Sequence, residues 1–185
     1  AATRAKAEEA WEKALSVIEV EGGTPEERTV FYTSLYHLQI HPNILQDVNG
    51  EYPQMGSLKG AKTSHDRYTV YSLWDTYRNV HPLLSLLYPR KQLAMVQTML
   101  DMYKESGWLP KWELYGQETF TMEGDPAIIV INDTWQRGIR DFDTNLAYEA
   151  MIKGATTPGK ENKLRPDFDD YASRGYVPLR EKFDN

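Results

Sequence analysis

The sequence contains no cysteine. Structural disulfides and thiolate metal sites are thereby excluded, but no compartment is, because an exported bacterial protein can lack cysteine. No apolar run approaches the roughly 18 residues of a membrane-spanning helix. Basic residues are outnumbered, 21 against 27 acidic ones, and they are scattered, which argues against nucleic acid as a partner. No glycine-rich phosphate loop and no Ser or Cys nucleophile motif occurs. No signal peptide precedes the first helix, which begins almost at residue 1. The expectation is therefore a cytosolic protein or an excised piece of a longer one.

What is present is a chain of 185 residues, 41% hydrophobic, long enough for one domain with a real core. It carries 12 Tyr and 5 Trp, a richness that suits either a carbohydrate-binding surface or an aromatic core. Apolar residues at helical spacing (Ala7, Ala10, Trp11, Ala14, Leu15, Ile18) predict a helix over about 3–18, ended by Gly22 and Gly23. Thr24, Pro25 and Glu27 form a capping box that opens a second helix, which ends before Pro42. Residues 43–68 have no helical period; Asp47–Tyr52 has the composition of a turn between two short strands. A third helix is expected over about 72–87, apolar nearly all round and therefore buried on several sides, with a kink or split at Pro82. Pro89 opens a fourth, closed by Gly107. Residues 108–122 form a second irregular stretch. Helices follow from about Asp125 to Gly138 and from Asp143 to Lys153, with a helical turn near 167–171. No alternation is strong enough for a sheet. The fold class is all-α: an array of helical hairpins with long loops and at most short β-hairpins, its loops being the natural place for a site.

Two acidic residues each follow a tryptophan: Trp74-Asp75 and Trp112-Glu113. A carboxylate beside an aromatic plane suits a sugar, whose hydroxyls want acceptors and whose apolar ring face wants a flat surface. Asp75 equally suits the positive end of its helix. Arg78, three residues on, lies on the same side and is positioned to hold Asp75 ionised. Glu113 is crowded by Trp108, Trp112 and Tyr115, which favours a cleft over a solvated surface charge. Glu118 and Glu123 are weaker candidates in the same loop. His37 and His41 stand at i, i+4, but no third ligand or intervening acid supports a zinc site. Asp47, Asn49 and Glu51 do not meet the spacing of a calcium loop. From spacing alone, Asp75 and Glu113 are open to two readings: the acid–base pair of a glycosidase, or sugar-binding groups.

The blocks WEKALSVIEVEGGTPEERTVFYTSLYHLQIHPNILQDVNGEY, YTVYSLWDTYRNVHPLLSLLYP, GWLPKWELYGQET and GDPAIIVINDTWQRGIRDFD resemble the glycoside hydrolase family 92 α-mannosidases over essentially the whole chain, from Trp11 to about Leu179. The resemblance implies an (α/α)6 barrel catalytic domain preceded by a β-sandwich. It also implies calcium-dependent removal of terminal α-linked mannose with inversion. Members of the family are typically exported bacterial proteins, periplasmic or on the cell surface, that degrade mannose-containing glycans. By the same resemblance, residues 1–185 correspond to the first half of the barrel, without the β-sandwich or the second half. The motifs that carry the family's general acid and general base do not occur by Asn185, so no residue here is assigned a catalytic role. Trp74, Asp75, Arg78, Trp112, Glu113 and Glu118 are expected to shape the mannose subsite. The calcium ligands are expected outside this chain, and the unusual Ser64–Arg67 segment to affect leaving-group subsites. The remainder of the barrel, or another chain, is the expected cover for exposed apolar helix faces. The alternative from the residues alone is a non-catalytic helical carbohydrate-binding or interaction domain.

Overall fold

A computed structural model describes residues 2–57 and 59–179. They fall into two compact units, one up to Asn43 and one from Ile44 on. The first unit is a helical hairpin, α1 (Ala2–Leu15) and α2 (Pro25–His37). The expected capping box is formed: the Thr24 hydroxyl accepts from the Glu27 N–H at 3.2 Å, and the Glu27 carboxylate accepts from the Thr24 N–H at 2.7 Å. The two helices meet through Trp11 and Tyr36, ring centroids 4.7 Å apart. Helix α1 stops three residues short of the expected Ile18. Val17 and Ile18 are β-branched, which weakens the helix there, and the Ile18 carbonyl accepts from the Tyr32 hydroxyl at 3.1 Å.

The second unit holds the core. After the short strand β1 (Asn43–Ile44) come β2 (Glu51–Pro53) and β3 (Gly60–Lys62), an antiparallel pair with Tyr52 opposite Ala61. The expected turn at 47–52 is present, with the Gly50 N–H donating to the Asp47 carbonyl at 2.9 Å. It does not join two paired strands, because β2 pairs onward with β3. Strands β4 (Tyr68–Thr69) and β5 (Tyr71–Ser72) lead into α3 (Leu73–Thr76) and α4 (Val80–Leu87).

The long helix expected over 72–87 is thus two helices, and the break lies at 77–79 rather than at Pro82. Pro82 is the third residue of α4, where its missing N–H would have no intrahelical acceptor. Its ring would strike the carbonyl of Arg78 if the helix ran through, so the chain must restart just upstream. Nor is this segment buried on several sides: His81 and Leu84 are buried, but Leu86 is 73% exposed. Helix α5 (Pro89–Ser106) is the buried centre. Met95, Val96, Met99, Leu100 and Met102 are all within the core, and Gly107 closes the helix in the left-handed conformation.

Strands β6 (Trp112–Leu114) and β7 (Gln117–Glu118) join β5 in a three-stranded sheet, β5–β6–β7. This sheet was not expected from the sequence; strands of two and three residues are too short to display alternation. Helices α6 (Pro126–Gln136), α7 (Thr144–Thr156) and α8 (Phe168–Arg174) complete the described chain, and α4, α6 and α7 all pack on α5. The Asp143 carboxylate caps α7 at the Leu146 N–H, 3.0 Å away. That helix continues through Gly154, past its expected end at Lys153. Gly154 is buried, and a Cβ there would stand 2.9 Å from the Asp125 Oδ2.

Candidate functional site

The sheet β5–β6–β7 brings the two tryptophan–carboxylate pairs into one neighbourhood. Ser72 of β5 pairs with Trp112 of β6. Trp74 and Asp75 lie two and three residues beyond that strand partner, in α3. They sit at the surface: Trp74 is 36% exposed, and Asp75 is exposed with the Ser72 hydroxyl as hydrogen-bond donor to its Oδ2. The expected Asp75–Arg78 pair is not formed among the described residues. The Arg78 guanidinium instead lies over the Trp74 ring at 4.7 Å and over Tyr77 at 5.2 Å. A flat ligand on Trp74 therefore has only the face away from Arg78.

Glu113, for which the sequence favours a cleft over a solvated surface, is fully enclosed, at 0% exposure. The Thr69 hydroxyl lies 2.9 and 3.1 Å from its two oxygens, the Gly116 N–H donates to Oε1 at 2.6 Å, and the Val70 N–H donates to Oε2 at 3.1 Å. Burial pushes this carboxyl above its ordinary pKa, while the Gly116 and Thr69 bonds and the nearby Arg67 charge pull it back. Glu118, opposite Glu113 in the sheet, is used in the same way. Its Oε1 accepts from the Trp112 and Phe120 N–H groups and its Oε2 from the Lys111 N–H, each at 2.8 Å. Both carboxylates are thus occupied in fixing backbone, and Trp112, whose N–H donates to Glu118, is half-buried.

In the Ser64–Arg67 segment His65 and Arg67 turn inward, while Ser64 and Asp66 stay exposed. His65 lies 3.2 Å from Asp101. The Arg67 side chain, 0% exposed, makes two hydrogen bonds to Glu105 at 2.8 and 3.2 Å and lies over Tyr52 at 4.4 Å. Sequence reasoning missed this pair because its members are 38 residues apart. It also missed Asp125, whose side chain is 0% exposed and whose oxygens lack a hydrogen-bond donor, with Arg165 Nε at 3.6 Å. Burial pushes its pKa up to about 6, against the pull of Arg165 and Lys111. His81 is buried in a relay: its Nδ1 lies 3.0 Å from the Gln92 Oε1, and the Gln92 amide donates to the Thr134 hydroxyl at 2.8 Å. Among the described residues no three His, Asp or Glu side chains come together to hold a metal ion, and no helix is long and apolar enough to cross a membrane.

The whole sequence, residues 1–185, matches the glycosyl hydrolase family 92 catalytic domain. A family 92 α-mannosidase from Bacteroides thetaiotaomicron is 36% identical, superposes with a TM-score of 0.85 and is matched over 95% of this chain and 23% of its own. The same mannosidase is also solved in complex with mannoimidazole. An inverting mannosidase of the family from that organism is 33% identical, with a TM-score of 0.86 over 96% of this chain and 25% of its own. An uncharacterized secreted glycosidase of the fungus Arthroderma benhamiae is 28% identical over 183 residues, 96% of this chain and 19% of that protein. The chain therefore spans only about a fifth to a quarter of the length of these relatives. On a family match that runs from its first residue to its last, this chain belongs to glycosyl hydrolase family 92 and lies within the catalytic domain.

Proposed function

We propose that this chain forms one wall of the terminal-mannose pocket of an exo-acting α-mannosidase that works with inversion. The observation that carries the reading is the likeness, at 33–36% identity, to solved α-mannosidases, one of them with mannoimidazole bound. The geometry adds a surface that can receive a sugar. Asp75 offers an exposed carboxylate to hydroxyls, and Trp74 offers one free ring face. Arg78 holds Trp74 from behind. Trp112 sits on the strand that pairs with the approach to α3. Glu113 and Glu118, which the sequence placed among the sugar-binding groups, shape the pocket indirectly by holding the β6–β7 hairpin.

In an inverting glycosidase one carboxylic acid protonates the leaving oxygen, and a carboxylate on the opposite face of the ring activates water. Glu113, enclosed and holding two backbone N–H groups and a hydroxyl, and Glu118, holding three backbone N–H groups, are unsuited to either task. Both catalytic groups are proposed to come from the rest of a longer enzyme. The calcium that the resemblance implies finds no ligand cluster among the described residues. Its ligands are likewise proposed to come from the rest of that enzyme.

The helices are proposed to form part of an (α/α)6 barrel. Ile129, Tyr148 and Ile152 remain 43–64% exposed. A cleft of about 240 Å³ between α6 and α7 is lined by Ile131, Trp135, Phe142 and Met151. A self-standing sugar-binding module would have covered these faces; further barrel helices would cover them here. The secreted relative supports an exported location. The test uses the full-length enzyme with calcium. Release of mannose from an α-mannoside, with the β-anomer seen first by NMR, is the expected result, and Asp75→Ala should lower kcat/KM by at least about 100-fold. Retention of anomeric configuration, or an unaffected Asp75→Ala enzyme, would overturn the assignment.

A further inference from the structure

Among the described residues only four non-glycine residues have left-handed backbone: Val70, Tyr115, Phe120 and Met122, with φ between 48° and 69°. All four lie in or beside the β5–β6–β7 sheet. This conformation is unfavourable for any residue with a Cβ, and most of all for bulky ones. Such strain persists only where the surroundings enforce it, and an observed cluster of it is a reason to look for function.

Three of the four amides are captured. The Val70 N–H donates to Glu113 at 3.1 Å, and the Phe120 N–H to Glu118 at 2.8 Å. The Tyr115 N–H donates at 2.9 Å to the Thr69 hydroxyl, which is itself bonded to Glu113. Glu113, enclosed, and Glu118, half-buried, are thus the groups that hold this backbone. Tyr115 and Gly116 form the two-residue loop of the β6–β7 hairpin, both with positive φ. Asn-Gly or Asp-Gly is the ordinary choice for such a loop. Here the first position carries a tyrosine instead.

Val70 is half-buried, and the side chains of the other three are exposed. Tyr115 is 56% exposed, Phe120 37% and Met122 44%. They are not a continuous apolar face of the kind that docks protein. Thr119, Thr121 and Glu123, all exposed, alternate with Phe120 and Met122, and Gln117 follows the loop. Ring faces interleaved with hydroxyl, amide and carboxylate groups match a sugar, which is apolar on its C–H face and polar at its edge. The hairpin is also continuous with the proposed pocket, since Trp112 lies on β6 itself.

We infer that Tyr115 and Phe120 form a rigid platform for the sugar next to the mannose that is removed, and so select the leaving-group residue. This rests on the mannosidase reading: an exo-acting enzyme has one neighbouring sugar to read, and it lies on the leaving-group side. The platform is a specificity element and takes no part in bond cleavage.

The experiment compares the full-length enzyme with its Tyr115→Ala, Phe120→Ala and Tyr115→Phe variants on two substrates. One is an α-linked mannobiose, which fills the neighbouring position. The other is α-mannosyl fluoride, whose leaving group is a single atom. The alanine variants should lose about 10-fold in kcat/KM on mannobiose, the scale of one aromatic stacking contact, and stay within about twofold on the fluoride. Tyr115→Phe, which keeps the ring, should restore mannobiose turnover. Equal losses on both substrates would overturn the platform by showing that the hairpin serves the mannose subsite or the fold. Unchanged mannobiose turnover would overturn it as well. If the wild-type enzyme hydrolyses the fluoride, a failed platform leaves the mannosidase reading standing; if it hydrolyses neither substrate, both fall.

Discussion

Asp125 and His81 give this chain two opposed dependences on pH, and each can be unmasked by removing the other. Burial pushes the Asp125 carboxyl from 3.8 up to about 6, net of the attraction of Arg165 and Lys111. At 1.36 kcal/mol per pH unit, the ionised form lowers stability by about 3 kcal/mol relative to the neutral one. For a group whose folded pKa is raised, the stabilising contribution is complete below the unfolded value and is lost as pH rises through the folded one. Asp125 therefore favours the fold below pH 4 and weakens it above pH 6. His81 runs the other way. Burial lowers its pKa from 6.5 to about 4, so its contribution is present above 6.5 and lost on acidification, again by about 3 kcal/mol. Between pH 4 and 6.5 the two nearly cancel.

Asp125→Asn keeps the shape of the side chain beside Gly154 and removes the charge. The Arg165 that loses its partner is 41% exposed and can return to water, so no buried unpaired cation is left behind. Urea denaturation at fixed pH, read as variant minus wild type, cancels the titration of the surface carboxylates. The Asp125→Asn protein should gain up to about 3 kcal/mol at pH 8, and the gain should vanish by pH 4. His81→Gln, which keeps a donor for Gln92, should show a difference curve of the opposite slope. Parallel curves for Asp125→Asn and wild type would refute the reasoning. A variant weaker than wild type at pH 8 would do so as well, because attraction to Arg165 would then outweigh burial.

Other consequences can be measured separately. Glu105→Gln should destabilise the second unit by about 3–5 kcal/mol in equilibrium denaturation, because it leaves the enclosed Arg67 guanidinium without a counter-charge; a loss below about 1 kcal/mol would show that the pair is dispensable. Gly154→Ala would ordinarily strengthen a helix interior by up to about 1 kcal/mol. Here the new methyl would meet the Asp125 Oδ2 at 2.9 Å and the Leu164 Cδ1 at 3.2 Å, so the melting temperature should fall, by an amount equivalent to about 1–3 kcal/mol. A rise would mean that α6 and α7 yield at that contact.

The parts of the fold legible in the sequence are those set by neighbours in the chain. Thr24 and Glu27 close a capping box within four residues, Pro89 and Pro126 open helices, Asp143 caps one, and Gly107 ends one. Pro82 correctly announced a break, but the carbonyl it would strike lies four residues back, so the break moved upstream. The short sheet was invisible because its stability does not come from its own pattern. It is held by Glu113 and Glu118, whose donors come from Thr69, Val70 and Gly116 and from Lys111, Trp112 and Phe120 respectively. The contact from residue 113 to residue 69 spans 44 positions, beyond any local periodicity.

The same distance effect separates the two carboxylates that look alike in the sequence. Asp75 and Glu113 each follow a tryptophan, and each was a reasonable sugar ligand. Their roles are set by which donors reach them. Asp75 receives one hydroxyl from its own helix start and keeps its remaining acceptor capacity at the surface. Glu113 receives two backbone N–H groups and a hydroxyl inside the protein, and at 0% exposure it has nothing left to offer a ligand. A glutamine there would turn an NH2 toward donors, and an apolar residue would leave all of them unsatisfied. The carboxylate is the side chain that this junction of N–H and O–H groups requires. Its likeness to a catalytic acid in the linear sequence follows from the same property, acceptors at the end of a short stem, put to use on backbone in place of substrate.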